Sequence, residues 1–212
     1  MPNAELYTKF PPVYMLHTDQ LFHNLDVKFD AIDHDIALDL TKSFSSDQSN
    51  CNEKLPHLRI LFAGIPASRD GWAAADFHTR CDYKGPTVTV ITSGKSIFGG
   101  YTEQQWKHVA SAGYRDSTES FLFSLVNTKD LPPTQLPLIA DKEESAIYRH
   151  NGCGPIFGNG HDLIISNTPN ASNCSAKLNN SYECPDGENA VTFLTGSESF
   201  RVDEMDVFGF EN

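Results

Sequence analysis

From Thr18, placed to cap a helix N-terminus, apolar residues recur at Leu21, Leu25, Phe29, Ile32 and Ile36, at intervals of 4, 4, 3 and 4. Asp26, Asp30, Asp33 and Asp35 fall between them, so the pattern predicts an amphipathic helix or pair of helices over about 17–42. Residues 1–16 carry Pro2, Pro11 and Pro12 without any period and read as an extended leader. A polar run at 43–50 breaks the pattern and marks a loop over 43–55, and Leu58-Arg59-Ile60-Leu61-Phe62 then reads as a buried strand.

A second helix is predicted from about Gly71 to Cys81. Ala73, Phe77 and Cys81 form an i, i+4, i+8 stripe, and Asp70 stands ready to cap it. Beyond Gly85-Pro86 the period changes to two. Thr87-Val88-Thr89-Val90-Ile91, a turn at Ser93-Gly94-Lys95 and the return through Ser96-Ile97-Phe98-Gly99-Gly100-Tyr101 have the grammar of a hairpin. Further strands are expected at 120–126, at 161–165 after Gly158-Asn159-Gly160, at Val191-Thr192-Phe193-Leu194, and through Val202, Met205, Val207 and Phe210. Short strands, Gly/Pro/Asn turns and few helices predict an α+β, mainly β fold. The expected form is a sandwich of two antiparallel sheets flanked by a few helices, its core over about 58–211 of a single domain at 17–212.

A chain of 212 residues should bury roughly 70% of its unfolded surface and needs no staples. Its 28 acids and 16 bases set a formal charge of −12, which argues against nucleic acid or an anionic membrane as partner. The N-terminus has no basic segment followed by an apolar one, and no run approaches the roughly 18 apolar residues of a membrane span, so a cytoplasmic protein is expected. Cys51, Cys81, Cys153, Cys174 and Cys184 are odd in number and include no C-x-x-C, so free thiols are expected. Three glycosylation sequons, at Asn170, Asn173 and Asn179, crowd one Asn/Ser-rich loop and favour a secreted alternative in which Cys174 pairs with Cys184.

Candidate chemistry is sparse. His150, Cys153, His161 and Asp162 are all of ligating type, but no His-x-His, His-x-x-x-His or C-x-x-C spacing joins them, so no metal or cofactor is expected. The Asp-rich stretch lacks the central Gly and closing Glu of a calcium loop, and there is no G-x-S-x-G elbow. The glycine-rich 157–160 segment precedes a strand rather than opening a helix, which removes the dipole a phosphate loop uses. Glu204 and Asp206 share one face of the last strand, most simply the solvent face. Cys153, Cys174 and Cys184 remain as redox candidates for a thiol-based antioxidant. Only Cys81 has a cation beside it in sequence, Arg80, so little in the local sequence favours a thiolate.

Five motifs occur in order: Ala67-Ser68-Arg69-Asp70-Gly71-Trp72, Gly85-Pro86-Thr87-Val88-Thr89-Val90-Ile91, Ile97-Phe98-Gly99-Gly100-Tyr101-Thr102, Ser120-Phe121-Leu122-Phe123-Ser124-Leu125 and Glu204-Met205-Asp206-Val207-Phe208. With Phe157-Gly158-Asn159-Gly160-His161-Asp162-Leu163 between the last two, the chain resembles the TLDc domain. The resemblance implies a two-sheet sandwich and a non-enzymatic role linked to oxidative-stress protection. In several relatives that role includes binding and regulating the vacuolar proton-pumping ATPase. It carries over Ser68, Gly71, Phe98, Gly99, Gly100, Phe121, Phe157, Gly158 and Gly160 as signature positions, with mainly structural roles, and Asp162 as a candidate interaction acid. Family members often place Glu directly after the glycine run. Here His161-Asp162 shortens the carboxylate's reach by a methylene.

Overall fold

The computed structural model describes residues 60–62, 66–108 and 111–210. The leader, the periodic stretch after Thr18, the polar loop and Cys51 lie outside the described residues. The chain divides into two compact units at residue 60, and the elements below belong to the second, Leu61–Asn212, with the first strand opening one residue earlier.

The strands are β1 (Ile60–Phe62), β2 (Thr87–Ser93), β3 (Ser96–Thr102), β4 (Gly113–Arg115), β5 (Phe121–Val126), β6 (Thr134–Pro137), β7 (Ile147–Arg149), β8 (Ile156–Phe157), β9 (Leu163–Ile164), β10 (Cys174–Ala176), β11 (Ser199–Phe200) and β12 (Glu204–Phe210). Two helices, α1 (Ala67–Asp70) and α2 (Ala74–Cys81), follow β1. One antiparallel sheet runs β1-β12-β2-β3-β5-β6 and the other β11-β10-β9-β8-β7-β4, so the mainly β, two-sheet expectation holds.

The first sheet is built on the predicted hairpin. Thr87 pairs with Thr102 and Ser93 with Ser96 across a turn at Gly94, whose φ of +58° suits glycine. Ile91, Phe98, Leu122, Leu136, Met205 and Val207 from this sheet share one core with Ile147, Phe157, Leu163 and Ala176 from the other. Phe98 packs edge-on against Phe200 of β11 at 5.3 Å, and that contact joins the two sheets. Val88, Val90, Tyr101, Phe121 and Phe123 are buried too, so β2, β3 and β5 read as nearly continuous apolar runs rather than clean alternations.

Three expectations need correction. The predicted helix from Gly71 is interrupted: Gly71 ends α1 at φ +112°, and α2 begins only at Ala74. Asp70 does not cap it. Instead Asp76 Oδ2 accepts the Ala73 N–H at 3.0 Å, and the buried stripe is Ala74, Phe77, His78 and Cys81. Second, Val191 to Leu194 form a coiled turn despite their β-type residues. Asn189 Oδ1 takes the Val191 N–H at 2.9 Å, its carbonyl takes those of Thr192 and Phe193, and Gly196 closes the turn onto Thr192. Phe193 and Leu194 reach the core from that turn, so burial is met without a strand. Third, the Asn/Ser-rich sequon segment is not all loop, because Cys174 to Ala176 form β10 between β9 and β11.

Candidate functional site

The glycine-rich segment folds into a tight turn after β8. Gly158 and Gly160 both have φ +84° and His161 has φ +62°, and the Gly158 N–H donates to Ala146 O at 2.9 Å. The turn swings Asp162 inward until no part of it is exposed. There its carboxylate accepts backbone N–H groups from Asn180 at 3.0 Å, Ser181 at 3.0 Å and Tyr182 at 3.2 Å. Burial pushes the Asp162 carboxyl up to about 6 against the opposing pull of those amides. The Tyr182 hydroxyl donates to Ala146 O at 2.7 Å, and the Asn159 N–H to Ser181 Oγ at 2.7 Å. One acid therefore ties two turns and β7's approach into a single knot. Asp162, carried over as a candidate interaction acid, faces the protein's own amides and meets no solvent.

The other signature positions are spent on the same fold. Gly71 leaves room for the Asp76 carboxylate, since a Cβ would sit 2.1 Å from Oδ2. The Ser68 N–H donates to Glu204 Oε1 at 3.1 Å and holds α1 to β12. Phe121 stacks on Tyr101 at 5.2 Å, and Phe157 meets Trp106 at 5.7 Å. At Gly100 a Cβ would lie 2.6 Å from the Phe157 ring, so that glycine lets the two sheets close. The Glu204/Asp206 face, expected in solvent, is also corrected. Asp206 is buried, and desolvation chiefly, with Glu204 beside it, pushes its carboxyl up to about 6 while Arg69 pulls the other way.

The ligating-type residues do not converge. His150 and His161 flank the Tyr148 ring at 6.3 and 5.3 Å, Tyr148 lies 4.7 Å from Tyr114, and the Tyr114 hydroxyl donates to Asn159 Oδ1 at 3.1 Å. Burial, and then His150, lowers the His161 imidazole from its ordinary range. Among the described residues, no three of His, Cys, Asp and Glu group as a metal site. His78 is buried on α2 with Nδ1 2.8 Å from Asp82 Oδ1. Its Nε2 faces the carbonyls of His150 at 3.2 Å and Cys153 at 3.1 Å; both can only accept, so this nitrogen carries a proton. The pair clamps the α2 C-terminus to the 150–153 turn.

The four described cysteines are free thiols, so Cys174 and Cys184 are not joined as the secreted alternative expects. Burial pushes every one of them up: Cys81 to about 12, and Cys153, Cys174 and Cys184 in the same direction. The Cys174 Sγ also accepts the Ser166 N–H at 3.4 Å. Reactive thiols sit in electropositive, partly exposed settings that lower the pKa, and these environments do the reverse.

Two antiparallel sheets closed on one core, with an internally caged acid beneath a glycine turn, define a mainly β sandwich module. The TLDc domain model matches residues 33–211, and the chain belongs to this family, which supports an oxidation-resistance-type protein. No curated protein matches the chain. No helix among the described residues is long and apolar enough to cross a membrane.

Proposed function

We propose that this chain is a non-catalytic protein-interaction module that contributes to oxidative-stress protection by binding and regulating the vacuolar proton-pumping ATPase. The observation that carries the reading is the family match over 33–211. The geometry adds support from the site itself. Asp162 is taken up by three backbone amides, and the thiols are held in their protonated form by burial. Groups engaged in this way serve the shape of a binding surface rather than a reaction. The test is size-exclusion co-elution of the purified chain with purified ATPase sectors, scored by proton-pumping rate. Co-elution with a changed rate is the expected result. A folded chain that elutes alone at micromolar concentration overturns the pump as partner.

A further inference from the structure

One corner of the second sheet runs against the charge of the chain as a whole. Arg149, on β7, is 9% exposed and donates from Nη2 to the Gln105 carbonyl, while its buried Nε has no acceptor among the described residues. Among the described residues no carboxylate lies within ion-pair distance of it. Asp82 acts on it from farther off, and the Asp82 Oδ1 is already held by His78 at 2.8 Å. Burial first, and then Arg115, depress the Arg149 guanidinium. A buried charge without a partner is unfavourable unless something outside the chain supplies one.

The space across from it is taken by a second cation rather than by an acid. Arg149 pairs directly with Gly113 of β4, the edge strand, so no side chain stands opposite it. The Arg115 guanidinium folds back over this position, with Nη1 3.6 Å from where a Gly113 Cβ would be and donating to the Tyr114 carbonyl, which leaves its other N–H groups for a partner. Chain segment 105–107 links Arg149 to a second feature. The Trp106 carbonyl accepts the Tyr83 N–H at 2.9 Å, and Tyr83, held at φ +60°, is 60% exposed with Lys107 Nζ 5.4 Å from its ring centre. Lys107 is exposed and, among the described residues, makes no ion pair. Arg115 and Tyr83 both act electrostatically on Arg149, and Lys107 lies over the Tyr83 ring, so three cations and an exposed aromatic ring gather around one residue of a protein whose net charge is −12.

We propose that Tyr83, Lys107 and Arg115, set over Arg149, form a docking site for an acidic peptide segment of a protein partner. Carboxylates of the segment meet Lys107 and Arg115, whose planar fork suits them, and a flanking side chain lies on Tyr83. Arg149, offset by Asp82 from farther off, adds its field from beneath. At physiological ionic strength charges more than about 8 Å away are screened, so a segment docking here meets these cations together with Asp82 and Asp116 beside them rather than the net charge of the whole chain. A protein partner rests on the interaction-module reading; the sign of its docking segment does not.

The experiment is fluorescence anisotropy of the full chain with labelled oligoglutamate, and with oligolysine as control. Saturable oligoglutamate binding that weakens with salt, about tenfold loss in K107E/R115E and an unchanged thermal melt are the expected results. The single variant K107E, at an exposed position, gives the same direction if the double variant folds poorly. Absence of saturable oligoglutamate binding, or equal binding by K107E/R115E, overturns the proposal. So does sedimentation of the wild type with phosphatidylserine vesicles when oligoglutamate fails to bind. Pump co-elution that persists without oligoglutamate binding removes only this corner. Oligoglutamate binding without pump co-elution removes only the pump.

Discussion

Gly158 and Asp162 occupy almost the same space: a Cβ on Gly158 would stand 2.1 Å from Asp162 Oδ2. The acid reaches the amides of Asn180, Ser181 and Tyr182 only because the turn carries no side chain at this point. With φ +84° as well, Gly158→Ala must either strain the backbone or push the carboxylate from its cage. The expected cost is about 3 kcal/mol or more, measured by urea denaturation. A loss below about 0.5 kcal/mol would show that the cage is not tied to the glycine.

At Gly99 the obstacle is the neighbouring strand itself. A Cβ would lie 1.9 Å from the Thr89 carbonyl oxygen and 2.7 Å from the Phe123 ring. A ring can rotate away, but a backbone carbonyl inside a sheet cannot. Gly99→Val is expected to abolish the cooperative thermal transition, whereas Gly94→Ala, in open space at a φ of +58°, should cost only about 1 kcal/mol. Equal melting temperatures for the two variants would contradict the close approach of β2 and β3.

Asp206 makes stability depend on pH in a stated direction. Its folded-state carboxyl is raised to about 6 from 3.8, so the folded protein binds the proton more tightly than the unfolded chain. Ionisation therefore opposes folding: the cost is full above about pH 6, fades as pH falls towards 4, and is gone below. Asp206→Asn should be more stable than wild type at pH 7 by about 1 to 2 kcal/mol, with the difference vanishing near pH 4. Denaturation curves of both proteins across that range check it. A pH-independent difference would mean that the carboxylate is not held against burial.

Thiol reactivity should follow exposure. Cys81 and Cys174 are buried, with Cys81 pushed up to about 12, and Cys153 and Cys184 are partly exposed. Alkylation at neutral pH followed by peptide mass mapping should label Cys153 and Cys184 slowly, and Cys81 only when the chain unfolds. Rapid labelling of Cys81 in the native protein would contradict its place on the buried stripe of α2.

Much of this was legible in one dimension. The hairpin from Thr87 to Thr102 follows from period-two alternation around Ser93-Gly94-Lys95, because strand geometry and turn chemistry are local properties. The Phe77 and Cys81 positions follow from helical spacing for the same reason. The strand expected at Val191 to Leu194 failed because propensity reports how a residue fits a pleated surface, whereas the Asn189 side chain and the nearby core settled that segment by tertiary contacts.

By itself, then, the sequence determined the mainly β class, the turn glycines and the ordered motifs that mark a TLDc domain, all of which depend on neighbours along the chain. Only the tertiary structure decided that Asp162 faces inward and that Asp206 is buried. It also set His78 against the 150–153 turn far along the chain and left Arg149, among the described residues, without an ion-paired carboxylate. The physical reason is that a side chain's charge and hydrogen bonds are set by what lies across space. For Asp162 those partners stand 18 to 20 residues away, and for His78 they stand 72 and 75.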